Sequence, residues 1–369
     1  DPQDETPIAL PMIDFRYRLP DKVAGGKLSF QANSLAIMRP EGQDTQRAFA
    51  SAQWDKRTIL PGGQRLTFTL FGRGDIYHSD ENGETTETLY RGMEGWETRG
   101  IATGAIDLAW PLVGKAFGGT QLLTPRIQLV ASPKIKNFDI PNEDARAVDL
   151  EDSNLFSLNR FPGYDRYEDN VRLTYGLDWR LVRKDFTVEA NVGQSYRLSN
   201  RETILPDGTG LSDRLSDVVG RVEVRWLDQL ALVGRFRLDK DSGALRRFEA
   251  DATIGDRRTY TTVGYLRLNR DIAGLEDLQD REELRLAGRW QFHDYWAVYG
   301  SVIVDLTNKD EDPLSTADGF EPVKSRVGLL YEDDCLTAGL VWKRDYEKRG
   351  DSSKGDKFSF QLSFRNLGG

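Results

Sequence analysis

The chain has 369 residues, 38% hydrophobic and 30% charged, with a net charge of -9 and a mean hydropathy of -0.55. It holds no run of about 18 apolar residues, which excludes helical membrane spans, and its acidic balance argues against a nucleic-acid partner. One cysteine, Cys335, and two histidines, His78 and His293, are too few for a zinc or iron–sulfur site, and no cofactor is expected.

The first residues, Asp1-Pro2-Gln3-Asp4-Glu5, read as loop, as either an exported mature chain or an excised segment would show. Strands then follow near Ile13–Arg18, Lys27–Met38, Arg47–Asp55, Arg65–Tyr77, Ile101–Val113 and Gln121–Ser132. In the next, Val171–Leu181, every odd position is apolar and every even one polar or small. Side chains alternate across a strand, so this segment has one apolar and one wet face. The pattern recurs near Phe186–Leu198, Val218–Trp226, Leu230–Leu238, Leu245–Ile254 and Thr259–Leu268. It ends with Glu283–Phe292, Trp296–Thr307, Val323–Tyr331, Leu336–Tyr346 and Lys357–Leu367. About 17 two-faced strands of this length predict an all-β fold, an antiparallel transmembrane β-barrel. Eight Trp, 13 Tyr and 17 Phe suit its interfacial girdles. Pro111 and Pro125 lie inside strand patterns and cannot donate ladder hydrogen bonds, so each marks a bulge or strand end.

The connections alternate in length. Leu181–Asp185, Leu227–Gln229, Gly255–Arg258, His293–Asp294 and Glu332–Asp334 are tight. Ser199–Asp213, Asn269–Arg281, Asn308–Gly319 and Glu347–Gly355 are longer, and Asp239–Gly243 is intermediate. Bacterial barrels have short periplasmic turns and long outer loops. On that rule Pro133–Asn170 falls outside, the chain ends in the periplasm, and Cys335 sits at the periplasmic rim. The first strand then starts on the outer side. With an odd strand count, this implies earlier strands, so residues 1–369 read as the C-terminal portion of a longer barrel. Acidic runs such as Asp80–Glu87 and Asp305–Asp312 read as solvated loops.

Arg172, Asp178, Arg180, Glu189, Glu223, Arg225 and Arg285 alternate with apolar residues and are candidates for the lumen face. They could bind anionic groups or form a structural polar network, and pattern alone leaves both open. The last strand sets Phe358, Phe360, Leu362 and Phe364 on one face and Ser359, Gln361, Ser363 and Arg365 on the other. Cys335 is either an unpaired small residue or half of a disulfide whose partner lies outside this chain. His78-Ser79-Asp80 gathers hydrolase residue types, but neighbours on an extended chain point apart, so no enzyme is expected. A porin or substrate-gated receptor shares the strand pattern; a soluble β-sandwich has no reason for the alternating connections.

Several segments together resemble the LptD family of lipopolysaccharide-assembly proteins. They are Leu10-Pro11-Met12-Ile13-Asp14-Phe15, Leu123-Thr124-Pro125-Arg126-Ile127-Gln128 with Pro133, and Asn154-Leu155-Phe156-Ser157-Leu158-Asn159-Arg160-Phe161-Pro162-Gly163-Tyr164-Asp165-Arg166. Thr174-Tyr175-Gly176-Leu177, Tyr331-Glu332-Asp333-Asp334-Cys335 and the closing Phe358–Gly368 continue in family order. The resemblance implies an outer-membrane barrel of the lipopolysaccharide translocon, with lipopolysaccharide and outer-membrane lipid as its contacts. It implies an LptE-like lipoprotein plugging the lumen and a periplasmic lipopolysaccharide bridge reached through an N-terminal jellyroll absent from this sequence. The lipid would leave through a lateral gate between first and last barrel strands, which makes Phe358, Phe360, Leu362 and Phe364 gate-strand candidates. An ordinary closing strand would look the same. Family members commonly hold a cysteine at the position of Cys335, disulfide-bonded to the periplasmic domain. Many have an adjacent pair, where this chain has Asp334-Cys335.

Overall fold

In the computed structural model the alternation seen in residues 171–181 is a continuous strand, Val171–Val182, hydrogen-bonded on both edges. The structure describes residues 8–85, 87–145, 148–201, 203–269, 280–307, 319–346 and 354–364. Among them eighteen strands occur. These are β1 (Ile8–Arg18), β2 (Lys27–Met38), β3 (Asp44–Ile59), β4 (Arg65–Asp80), β5 (Gly95–Ala109), β6 (Leu112–Ala116), β7 (Gly119–Ala131), β8 (Val171–Val182) and β9 (Phe186–Arg197). The remainder are β10 (Val218–Trp226), β11 (Leu230–Leu238), β12 (Leu245–Gly255), β13 (Tyr260–Leu268), β14 (Arg281–His293), β15 (Trp296–Asp305), β16 (Glu321–Glu332), β17 (Leu336–Asp345) and β18 (Gly355–Phe364). The expected long connections near 270–279, 308–318 and 347–353 lie outside the described residues, as do Arg365 and the tail of the last expected strand.

Successive strands pair antiparallel in chain order, giving one up-and-down sheet of the transmembrane barrel type. One expected strand, Ile101–Val113, is instead two: β5 ends at Ala109 and β6 begins after Pro111. Both pair with β7. Pro125 of β7 faces this break, and its carbonyl accepts the Trp110 N–H at 2.9 Å. Two residues without an N–H are thus set where the ladder is interrupted anyway. Among the described residues no ladder joins β18 to β1. Every residue of β1 is exposed, as is every residue of β18 after Gly355.

The short connections close as tight turns: Arg183 N–H to Phe186 O, Asp256 N–H to Thr259 O and Asp333 N–H to Leu336 O are all 2.9 Å. Apart from bulges near strand ends, at Ala9/Met12, Arg237/Leu238, Gln291/His293 and Ile303/Val304, registers carry one parity across the sheet. On the outer face lie Leu177, Val192, Val222, Leu232, Val263, Leu286, Val327, Leu340 and Phe360, all exposed. Trp226, Trp290, Phe292, Tyr295 and Trp296 are exposed at the tight-turn end, the position of an interfacial girdle. Trp296 meets Tyr331 edge-on at 5.1 Å.

Sequence sets residues 133–170 on the outer side without giving them a structure. The segment folds against the other, inner, face of the sheet. Ala145, Val148, Leu150, Leu155 and Phe161 form a small core with Leu205 and Leu211 of the β9–β10 connection and Val219 of β10. Such a plug can bury side chains that a bare wall would leave wet.

The two faces predict opposite tolerance to charge. Leu340→Arg, placing a cation mid-strand on the outer face, should destabilise the assembled protein by about 2–4 kcal/mol. Gln361→Arg on the inner face should change it little. Denaturant unfolding in lipid vesicles, or the fraction retaining heat-modifiable mobility, would reveal the contrast.

Candidate functional site

The inner face of β3, β4 and β5 carries charge where a core would carry hydrocarbon. Arg47, Arg73, Asp75 and Arg99 are all buried, as is Tyr77. An uncompensated buried ion is costly; here the plug completes each. Asp144 Oδ1 accepts the N–H groups of Tyr164 (2.9 Å) and Asp165 (3.0 Å). Asp165 Oδ2 reciprocates from Glu143 (2.8 Å) and Asp144 (3.1 Å). Arg47 binds both carboxylates, at 2.8 Å to Asp144 and 2.5 Å to Asp165. Tyr77 donates its hydroxyl to Asp165 at 3.0 Å. Arg73 and Arg99 donate to the Tyr164 carbonyl at 2.6 and 3.0 Å, and both also hold Asp75.

Gly163 makes this turn feasible. Its φ is +66°, and a Cβ there would collide with the Asp144 carboxylate. The next residue, Tyr164, packs its ring on Phe49 at 4.8 Å, and its hydroxyl accepts from Gln31 at 2.8 Å and Arg16 at 3.2 Å. Gly163, Tyr164 and Asp165 are thus the plug's anchor on one side of the sheet.

A second anchor centres on Glu168, which is buried between Arg160 and Arg172 and accepts from Asn170 at 2.9 Å. Burial pushes this carboxyl up, but Arg160 and Arg172 outweigh it and hold it down to about 2. In the first anchor burial pushes both carboxyls up. Arg47 and the surrounding donors still hold Asp165 below the usual carboxylate range, while Asp144, beside that anion, stays raised. A third anchor joins Asp149 to Arg237 of β11 and, at 2.8 Å, Arg247 of β12.

The candidates chosen from sequence divide between two places. Arg172 is fully buried beneath the plug, donating also to the Leu158 carbonyl at 2.9 Å. Asp178, Arg180, Glu189 and Glu223 share a second region, lining a cleft of about 270 Å³ with Asn191 and Arg221. Register sets Glu189 directly opposite Glu223. Like charges so placed repel, and cations hold them: Arg180 is 2.9 Å from Glu189, and Arg221 and Arg225 both bind Glu223. Arg285 stands apart, paired with Asp251 at 2.7 Å. Asp178 is exposed at the cleft.

Phe358, Phe360, Leu362 and Phe364 share the outer face of β18, 75%, 69%, 49% and 58% exposed, with Lys357, Ser359, Gln361 and Ser363 opposite. Cys335 is an exposed free thiol at the tight-turn end, its N–H donated to Asp333 at 2.8 Å. His78 and Ser79 diverge: the imidazole meets the Trp96 ring at 4.7 Å, tilted by 59°, while the hydroxyl donates to the Met93 carbonyl at 3.1 Å. Sequence reasoning missed Arg47, Asp75, Tyr77 and Arg99. Their signal was charge at inner-face positions of strands that were otherwise apolar or small on the other face.

A family model described as LptD, LPS transport system D, matches residues 1–296. The chain belongs to the LptD family. Similar relatives include the LPS-assembly protein LptD of Acidovorax sp. (strain JS42), 25% identical over 390 residues, covering 96% of this chain and 44% of that protein. The LptD of Polaromonas sp. (strain JS666 / ATCC BAA-500) is 26% identical over 379 residues, covering 97% and 43%. That of Yersinia pestis bv. Antiqua (strain Antiqua) is 27% identical over 272 residues, covering 69% and 33%. The chain therefore spans less than half the length of these LptD relatives. Among solved structures it overlays loosely on the copper transporter OprC, with TM-score 0.43 and 11% identity over 95% of this chain and 62% of that one. As an LptD family member it is an outer-membrane protein of Gram-negative bacteria.

The anchors predict how the plug responds to mutation and acid. Asp165→Ala leaves Arg47 buried without its closest carboxylate, a loss of about 3–5 kcal/mol. Limited proteolysis should then cut within 143–166 while the strands keep their heat-modifiable mobility. Glu168 is held below its ordinary 4.5, at about 2. Its contribution is therefore complete above pH 4.5 and fades as pH falls toward 2. Hydrogen exchange of the plug amides should accelerate across that window, and Glu168→Gln should flatten the dependence.

Proposed function

We propose that this chain is the barrel portion of an LptD-type translocon component that inserts lipopolysaccharide into the outer leaflet. The observation that carries this reading is family membership over residues 1–296. In this reading the chain is the C-terminal part of the whole protein, with a jellyroll and further barrel strands supplied by the remainder. The lipid leaves laterally where β18 meets the first barrel strand. Phe358, Phe360, Leu362 and Phe364 present the apolar side of that seam to acyl chains, and the hydroxyl and amide side faces a hydrated interior. A seam with few ladder bonds opens at low cost.

The reading extends to partners. Asp178, Arg180, Glu223 and Arg225 face the interior below the plug, where an LptE-like lipoprotein could dock against a surface of both charge signs. Arg172, beneath the 133–170 segment, holds that segment instead. In this reading Cys335, exposed at the tight-turn end, bonds a cysteine of the N-terminal domain and so joins the periplasmic bridge to the barrel rim.

In living cells, a photo-crosslinking residue at Phe360 or Phe364 of the full-length protein should give lipopolysaccharide adducts that vanish when supply is blocked. No adduct at either position, together with normal surface lipopolysaccharide after depletion, would transfer the protein to the porin or receptor class.

A further inference from the structure

Most inner-face cations that surround the plug meet carboxylates. Arg247 contacts Asp149, Glu151 and Glu249; Arg235 contacts Asp152 and Glu249; Arg285 contacts Asp251; Arg180 contacts Glu189. The inner face of β16, β17 and β18 is arranged differently. Register sets Arg326 opposite Lys343 and Lys343 opposite Lys357, a cross-strand row of three cations. Lys324, one inner position along β16, lies opposite Asp345. Asp345 is bound by Lys343 at 2.7 Å and also feels Lys324 and Lys357. Arg326 stacks on Tyr299 at 5.3 Å.

Like charges directly opposite on adjacent strands destabilise a sheet. Among the described inner-face residues at this end of β16–β18, one carboxylate stands among four cations, an excess of positive charge, and neighbouring strands stand about 4.8 Å apart, so the row spans roughly 10 Å. Lys357 and Arg326 are exposed, open to a ligand. The row sits two residues from the end of β17 and the start of β18, at the rim that carries the long connections. Directly behind it, on the outer face, are Trp342 and Phe358, opposite one another. A cationic row inside and aromatic rings outside, on the strand at the end of the ladder, match a molecule with an anionic head and apolar tails.

We infer that Arg326, Lys343 and Lys357, with Lys324, form a subsite for the phosphoryl group of a lipid headgroup on the inner face of β16–β18. The inference rests on the translocon reading and deepens it. The row would hold the headgroup level with the rim while the tails pass to the apolar side of β18. Charge-assisted hydrogen bonds to phosphate replace the missing carboxylates and offset the repulsion along the row.

The test uses the full-length protein with a photo-crosslinking residue at Ser359, which lies opposite Val341 on the inner face. It is incubated with lipopolysaccharide micelles, intact or with the lipid A phosphates enzymatically removed. Removing the phosphates should lower the adduct about tenfold or more, and Lys343→Gln with Lys357→Gln should do the same to intact lipid. Millimolar inorganic phosphate should leave the adduct in place. Equal adducts from both lipids, or retention of an acidic protein segment at Ser359 instead, overturn the subsite. Loss of the adduct to inorganic phosphate overturns the lipid assignment in favour of a free-anion site. If the double variant fails to assemble, the comparison of the two lipids on the unmodified wall decides. Silence at Ser359 with adducts at Phe360 removes the subsite and leaves the translocon reading; silence at both removes both.

Discussion

A wall that crosses a bilayer has no water with which to satisfy its backbone, so each strand must find its N–H and C=O partners on the next. The rest of this molecule follows from that ladder. Registers from β8 to β18, which shift only near strand ends at Arg237/Leu238, Gln291/His293 and Ile303/Val304, fix which side chains meet lipid and which do not. Apolar residues then accumulate on one side and charged ones on the other, and the charged side needs its own solution. Over β3–β5, β8, β11 and β12 the solution is the 133–170 segment. It brings carboxylates and carbonyls to guanidinium groups that the ladder alone cannot satisfy.

The plug's affinity for the wall is polar rather than hydrophobic. Its apolar core is small, whereas Arg47, Arg73, Arg99, Arg172 and Arg237 each reach a carboxylate, a carbonyl or both in the segment. Buried ion pairs add little net stability compared with hydrocarbon, but they penalise any misplacement strongly. The plug is therefore positioned with high specificity for a modest gain in free energy.

The strands were legible because alternation is a local property. Val171–Leu181 needs only its own eleven residues to declare two faces, and the tight turns after it declare the connectivity. The interruption at Pro111 was legible as a defect, though not as a division into β5 and β6, because that division depends on Pro125 across the ladder. That residues 133–170, set on the outer side by the alternation of connections, turn back onto the inner face was not legible for a similar reason. Their structure is built from contacts distant in sequence: Arg47 and Asp165 are 118 residues apart. The motif Arg160–Arg166 did stand out through its family resemblance. That resemblance marks the stretch without saying that its carboxylate faces inward to Arg47. The cleft residues Asp178, Arg180 and Glu223, and Arg225 beside them, were picked out by parity alone, while Arg172 obeyed the same parity and proved to be sealed under the plug.

The anchors of the plug land unevenly around the wall. Those described join β1 and β2 through Tyr164, β3–β5 through Asp165, β8 through Glu168, and β11 and β12 through Asp149. Mechanically, this is an arch with its struts on one span. A cross-braced arc resists bending and shear because several strands must deform together, whereas an arc held by ladder bonds alone yields strand by strand. Bending of the wall will therefore be taken up as curvature beyond the last of these struts, on the side where β18 lies.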